Sequence, residues 1–440
     1  MHMKRIKRWL ANVGVVLALV AGLAAWVALP WYGVAAVAAI LAVWLLLTRR
    51  GRQTLAVASV GVSSLPQRWG ASSVIVVGIA GVVGVLVAML AMGEGFEATL
   101  NRTGNESTAI ILRGGSQAET NSVITRDQVP LIGQLDGIAR SRDGRPLVSP
   151  ELSQVVSLVT RADGTDANAQ LRGVGAMAWE LRPQVRVVEG RRFEPGRREL
   201  VVGRGAREQY VGLEVGRTLE LANQPWTVVG VFESGDSHES ELWADAEVLG
   251  PTYQRTAFQS VTVKLNGKRG LARLKAAMAA DPRLKLDVET TRHYYNKQSA
   301  GLTRLIQILG TVVGAIMAVG AVFGALNTMY AAVAARAREI ATLRAIGFRG
   351  LPVVVAVMLE TMLLALLGGL VGALLAWLVF NGYTASTLSG NFSQVVFQFQ
   401  VGPELVWTGL KWALGIGLVG GLFPALRAAR LPVTEALRAA

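Results

Sequence analysis

Asp236, His238, Glu239, Glu241 and Asp245 form the one cluster in this 440-residue sequence where several carboxylates stand beside a histidine. Carboxylate and imidazole groups are the donors of zinc and hydrolytic sites. The reading adopted for this cluster is a solvated loop entering a strand at Leu242, with no metal and no catalytic residue assigned. His2 and His293 have no partners visible in the sequence. The chain has no cysteine, so neither a thiolate metal site nor a disulfide framework can form. Phosphate chemistry fares no better. Gly203, Arg204 and Gly205 follow a strand-like run but do not extend to GxGxxG. The complete match, Gly415 to Gly420, lies inside an apolar stretch with no strand before it, where helix packing accounts for it. GxxxxGK[ST] does not occur, so no motif of this chain binds a nucleotide. One further group stands out. Glu360 lies nine residues into another apolar stretch with no basic partner evident, and such a carboxylate is a functional hypothesis by default. A structural hydrogen bond, a role in transmitting motion and proton or ion handling are the three readings open to it. Lys411, seven residues after Glu404, is read as snorkelling to an interface.

The elements that must carry these residues are set by composition. Hydrophobic residues make up 52% of the chain and charged ones 17%, against about 25% charged in soluble domains. Crossing about 30 Å of hydrocarbon takes roughly 20 apolar helical residues. Six stretches qualify: Trp9 to Leu29, Trp31 to Leu47, Ser72 to Gly93, Leu305 to Ala335, Leu351 to Phe380, and Leu405 to Leu426. Lys4, Arg5, Lys7 and Arg8 precede the first, as in a signal peptide. Its apolar run, however, exceeds the signal core of about 7 to 15 residues, and a second span follows at once. Pro30, Trp31 and Tyr32 read as a tight turn with interfacial aromatics, making the first two spans a helical hairpin.

The formal net charge of +14 is distributed along the membrane. Phe96 to Ala300 holds 27 basic and 25 acidic residues, leaving 17 basic and 5 acidic elsewhere. That excess falls at alternate span ends: Lys4, Arg5, Lys7 and Arg8; Arg49, Arg50, Arg52 and Arg68; Arg336, Arg338, Arg344 and Arg349; Arg427, Arg430 and Arg438. The positive-inside rule then makes both termini cytoplasmic, which six crossings also require. No basic stripe with interleaved aromatics occurs in the soluble part, which excludes nucleic-acid binding. Gln53 to Trp69, with Leu55, Val57, Val60, Val62 and Leu65 among small and polar residues, reads as an interfacial helix on the inner leaflet.

From Thr108 onward the chain turns to short β-type runs: Ala109 to Leu112, Val155 to Thr160, Val185 to Val188, Leu200 to Val202, Thr218 to Leu221, Trp226 to Phe232, Val261 to Leu265 and Leu284 to Val288. Helical spacing marks Gln128 to Ile138 and Leu271 to Ala280. The expectation is an α+β domain of two subdomains. In the membrane, where small residues drive helix association, Gly310, Gly314, Gly320 and Gly324 fall on one face of the fourth span. They are assigned to helix or dimer packing, and the same device recurs at Gly78, Gly81 and Gly84, at Gly368 and Gly372, and at Gly417 and Gly421.

The run ARAREIATLRAIGFRG at Ala335 to Gly350 and the closing GLFPALRAARLPVTEALRAA from Gly421 resemble the signatures of MacB-type and FtsX-like ABC transporter permeases. LPQRWGASSVIVVGIAG from Leu65 and GRTLELANQPWTVVGVFES from Gly216 extend the resemblance over about residues 53 to 440. The fold class it implies is an α-helical integral membrane protein: a four-span MacB-like core with an inserted α+β extracytoplasmic (periplasmic) domain, to which this chain adds an N-terminal transmembrane hairpin. The corresponding boundaries are 1–50 hairpin, 51–71 interfacial segment, 72–95 first core span, 96–300 periplasmic domain, 301–335 second span, 336–350 coupling helix, 351–381 third span, 382–403 extracytoplasmic loop, 404–427 fourth span and 428–440 cytoplasmic tail. Arg336, Arg338, Glu339, Ile340, Leu343, Arg344, Ile346 and Gly347 would form the coupling helix that docks in an ATPase groove. Ile340, Leu343 and Arg344 continue one helical face and Gly347 can end it. Ala335 and Ala341 stand where relatives tend to have Glu and Gly.

The partners implied are a dimer of cytoplasmic ABC ATPase subunits binding ATP and Mg, a second copy of this permease or a related one, and membrane lipid. A periplasmic adaptor would mark efflux. The chain itself would hold no cofactor and catalyse nothing. Two rival readings stand beside transport: a non-transporting regulator passing force to a cell-wall hydrolase or a sensor, and a membrane-bound enzyme with its site in the outer domain.

Overall fold

The computed structural model describes residues 21–23, 25–63, 65–388 and 393–430. In chain order the elements are α1 (Trp31–Leu47), α2 (Arg49–Ser63), α3 (Trp69–Thr103), β1 (Thr108–Arg113), β2 (Ile124–Thr125), α4 (Gln128–Gln134), β3 (Val148–Val159), β4 (Asp166–Val174), α5 (Met177–Leu181), β5 (Arg186–Gly190), β6 (Glu199–Gly203), α6 (Arg204–Gln209), β7 (Thr218–Leu221) and β8 (Gln224–Glu233). They continue as β9 (Glu241–Asp245), α7 (Ala246–Thr252), β10 (Ala257–Phe258), β11 (Ser260–Lys264), α8 (Gly270–Ala280), β12 (Leu286–Thr290), α9 (Thr291–Ala335), α10 (Ala337–Ala345), α11 (Gly350–Phe380), β13 (Thr384–Leu388), β14 (Gln394–Gln398) and α12 (Pro403–Arg430). Two compact units result, one of Met1–Ala91, Ile306–Asn381 and Gln400–Ala440, the other of Met92–Leu305 and Gly382–Phe399.

The first unit is helical. Among the described residues four helices are long and apolar enough to cross a membrane: Ser72–Thr103, Thr291–Ala335, Gly350–Phe380 and Pro403–Arg430. A fifth arises if Ala21–Ala28 and Trp31–Leu47, which meet at 108°, count as one bent span. Most of the expected first span, 9–29, lies outside the described residues, as do 431–440 of the tail. Thr48 accepts a 2.9 Å hydrogen bond from the Gly51 amide and so caps α2. A methyl at Gly51 would fall 2.2 Å from the Trp44 carbonyl oxygen, so this corner admits only glycine. Lys411 Nζ donates to the carbonyls of Val27 at 2.6 Å and Leu29 at 3.3 Å, capping the helix that ends at Ala28.

Helix contacts in this unit are made by small residues, but not chiefly by those of the fourth expected span. Added methyls at Gly310 and Gly314 would meet Met89 and Leu86 of α3 at 3.0 Å, whereas Gly320 and Gly324 have nothing within 4 Å. Closer approaches between spans lie on α11 and α12. A methyl would fall 2.4 Å from the Ala80 carbonyl at Gly372 and 2.5 Å from Ala365 Cβ at Gly417. Gly417 belongs to the GxGxxG match, which therefore serves packing.

The second unit is built on a ten-stranded mixed sheet ordered β12-β1-β11-β3-β4-β9-β6-β8-β5, with β7 also on β8. The β4–β9 and β6–β8 pairs are parallel; the others are antiparallel. The two expected subdomains share this one sheet but keep separate cores. Ile111, Val261, Leu274 and Val288 belong to one; Leu171, Val202, Trp226 and Leu242 belong to another. Residues 382–403 hold the β13–β14 hairpin rather than a plain loop. Phe397 sets its ring edge-on to Phe96 at 5.7 Å, and the Val396 amide donates to Ser240 Oγ at 2.8 Å.

Candidate functional site

Nine residues form too short a helix to stand alone in water, so α10 must be seated by its neighbours. Its C-terminus closes in a Schellman motif. The Phe348 amide donates to the Leu343 carbonyl at 3.1 Å and the Gly347 amide to that of Arg344 at 3.2 Å, with Gly347 at φ +108°. Leu343 and Phe348 then pack together against Val57 and Ala58 of α2 and Ala356 of α11. Ile340 is buried. Ile340 and Leu343, two of the residues named for the coupling helix, thus seat it on its own chain. Outward point Arg338, Glu339, Thr342, Ala345 and Ile346, followed by Gly347 and Arg349. Ile346 is 69% exposed, an isolated apolar knob at the helix end. Glu339 in the first turn and Arg344 in the last complement the helix dipole.

The buried face of α2 is Gly51, Thr54, Val57, Ala58 and Gly61, set against protein. Leu55, Val60 and Val62 are exposed on its other side, so the residues free to meet lipid are only part of the apolar set named from the sequence. Glu360 has the basic partner that the sequence concealed. Arg336 Nη1 donates to its Oε2 at 2.9 Å, with both side chains largely buried, and Arg336 Nε reaches Glu339 at 3.3 Å. Gly61 lies directly over the pair: a methyl there would sit 2.8 Å from Glu360 Oε2 and 3.3 Å from each terminal nitrogen of Arg336. A cavity of about 190 Å³ beside Glu360 is lined by Arg68, Ser72, Thr328, Met329 and Leu364 among others.

In the outer unit the acidic run around His238 is not a solvated loop. Asp236, His238, Glu241 and Asp245 are all buried, and β9 begins at Glu241 itself. Arg172 of β4 spends all five N–H donors on three carboxylates, those of Glu119, Glu151 and Glu241, at 2.8 to 3.1 Å. Arg182 holds Glu151 with two bonds of 2.7 and 2.9 Å and donates through Nε to His238 Nε2 at 3.2 Å. With Nε2 accepting, His238 directs its Nδ1 proton to Asp236 Oδ1 at 2.9 Å. Trp243 Nε1 donates to Glu241 at 2.8 Å and Ser260 Oγ to Glu119 at 2.6 Å. Burial alone would raise the Glu151 carboxyl, but the guanidinium groups of Arg182 and Arg172 bring it down to about 2. Glu241 is likewise desolvated yet held low by Arg172. Every carboxylate of this network is engaged by arginine, histidine, hydroxyl or indole, and no group of three or more His, Asp or Glu side chains among the described residues is placed to hold a metal ion.

A family model described as the MacB-like periplasmic core domain matches residues 72–281, and one described as the FtsX-like permease C-terminal region matches 311–433. The chain belongs to the MacB- and FtsX-like ABC permeases. The macrolide export ATP-binding/permease protein MacB of Vibrio parahaemolyticus is 25% identical over 398 residues, 82% of this chain and 56% of that protein. The protein of the same name from Pasteurella multocida is 27% identical over 391 residues, again 82% and 56%. This permease thus spans about half the length of those curated relatives. Among solved structures, the periplasmic region of MacB from Actinobacillus actinomycetemcomitans is 16% identical, covering 44% of this chain and 92% of its own, with a TM-score of 0.33. The extracellular domain of the noncanonic ABC-type transporter YknZ from Gram-positive bacteria is 18% identical, covering 41% and 99%, with a TM-score of 0.32. α10 falls within the FtsX-like match, and the Arg172 network within the periplasmic core match.

Proposed function

We propose that this chain is the permease subunit of a MacB-type ABC transporter, coupling ATP hydrolysis by a separate cytoplasmic ATPase to movement of its periplasmic domain. The cargo class is an amphipathic substrate, peptide or lipoprotein, exported or extracted at the outer face. Both termini lie in the cytoplasm, and residues 96–300 lie outside it. The observation that carries this reading is α10: a short helix, firmly ended at Gly347 and seated on α2 and α11, whose outward face offers Arg338, Thr342 and Ile346. A plain linker between spans would need neither the seat nor the Schellman end. On this reading Ile346 enters the ATPase groove, Arg338 and Arg344 flank it, and Ile340 with Leu343 hold the helix in place. Closing the ATPase dimer moves two such helices together, and α9 carries the displacement outward. A second copy of the chain covers the open face of α9 around Gly320 and Gly324.

The alternative, an FtsX-like regulator that passes force to a periplasmic hydrolase or sensor, uses the same α10 and differs only in what the outer unit grips. Reconstitution with the ATPase separates them: transport predicts cargo-stimulated hydrolysis and release of cargo, regulation predicts neither. Ile346→Asp should abolish cargo-stimulated hydrolysis while the chain still folds, and normal coupling in that variant would refute the role of α10.

A further inference from the structure

We infer that the Arg336–Glu360 ion pair is a positioning latch that makes α10, α2 and α11 move as one body, so that force applied to α10 reaches the membrane helices instead of merely bending their connection. This rests on the reading of α10 as the ATPase contact, but its geometry stands by itself. Arg336 is the residue immediately before α10, and Glu360 sits ten residues into α11. Their 2.9 Å contact closes the short connection from the end of α10 back to its beginning. Gly61 of α2 presses its bare backbone on both charged groups, so a third element is fixed by the same contact. An apolar seat already exists two turns away at Val57, Ala58, Leu343 and Ala356. That seat, with buried Ile340 beside it, is made of non-directional apolar contacts that permit sliding and rotation. The ion pair at the other end of α10 supplies a second, directional point, and two points fix the axis of a helix. A buried pair of this kind adds little net stability compared with apolar residues of the same size, while it discriminates strongly between arrangements that keep it and arrangements that break it. The cavity beside Glu360, lined by Arg68 and Ser72, leaves room for the carboxylate to turn away if Arg336 is lost. The substitution can therefore be tolerated in the fold.

The test uses the full chain reconstituted with its ATPase, and exploits the absence of native cysteine. Spin labels at Leu55→Cys on α2 and Thr342→Cys on α10, both exposed positions, report the distance between the two helices. The latched protein gives one narrow distance that nucleotide does not change. Glu360→Gln broadens it, and cargo-stimulated hydrolysis falls on the order of tenfold, the usual scale of site-to-site coupling, with basal hydrolysis and co-purification of the ATPase retained. The exchanged pair Arg336→Glu with Glu360→Arg restores both the narrow distance and the stimulation, a rescue that a merely structural role of either residue would not produce. An unchanged distance in Glu360→Gln, or full stimulation in that variant, overturns the latch. Should the wild-type chain capture no ATPase, the reading of α10 falls, and the distance measurement on the permease alone still decides the latch.

Discussion

Replacing Arg172 by Met should expose how the outer domain is held together. The guanidinium satisfies three carboxylates that are almost wholly excluded from water. Removing one partner of a buried ion pair costs about 3–5 kcal/mol, because the remaining charge is left uncompensated. Glu151 keeps Arg182, so the loss concentrates on Glu119 and Glu241, whose other donors are Ser260 and Trp243. Glu241 can escape by taking up a proton, which limits the penalty to about 4 kcal/mol at neutral pH. For a unit of this size each 1 kcal/mol shifts the melting temperature by about 2–4 °C, giving a fall of roughly 10 °C. Arg172→Lys keeps the charge but offers three donors for five bonds, and should fall between wild type and Met. Thermal unfolding of the detergent-solubilised chain, followed by hydrogen exchange in β4 and β9, reads the effect. Acidification to about pH 5 should narrow the gap, since protonation of Glu241 in the variant then costs less while Glu151 in the native protein stays ionised. A variant melting with the wild type at neutral pH, or a gap indifferent to acid, would refute the assignment of Arg172 as the hub.

Other outcomes follow from the same geometry. Glu151, lowered from its ordinary value of 4.5 to about 2, contributes about 3 kcal/mol that is fully present above pH 4.5 and vanishes as pH falls through about 2; acid unfolding of the outer unit should lose that component in Glu151→Gln. Gly347→Val forces a branched residue to φ +108°, costing about 1–2 kcal/mol locally, and should fray α10 in exchange measurements and weaken ATPase capture. Gly417→Leu drives a side chain into Ala365 and should destabilise the helical unit by about 1–3 kcal/mol, seen as a lower melting temperature; Gly320→Leu, with open space around it in a single chain, should leave the monomer unaffected and instead impair self-association.

Four of the six expected apolar spans were legible because lipid imposes a length rule that acts locally along the chain. So were β1, β6 and β7, whose short apolar runs lie between turns. β4 was hidden, and β9 was foreseen only from Leu242 at the end of a run read as a solvated loop, for a physical reason. They carry Arg172, Glu241 and Asp245 on buried faces, which breaks the alternation that identifies a strand. The partners that make such burial tolerable are distant in sequence, 53 residues apart for Arg172 and Glu119 and 69 for Arg172 and Glu241. Glu360 was conspicuous as a lone carboxylate, yet its partner Arg336 lies 24 residues earlier, across a helix whose course depends on Gly347. For α10, sequence periodicity identified the helix and its end, but both faces carry apolar residues, and only the packing of its neighbours decides that Ile340 is covered and Ile346 exposed.

If α10 is the coupling helix proposed above, Ile346 meets an ATP-hydrolysing protein on the cytoplasmic side. A single cysteine at that position, in a chain that has none, can carry a photo-crosslinker. Illumination of intact membranes should capture an ATPase with a phosphate-binding loop, and addition of nucleotide should change the yield. Labelling of the same cysteine by a membrane-impermeant reagent added from the extracytoplasmic side, with no nucleotide-hydrolysing partner captured, would contradict the account.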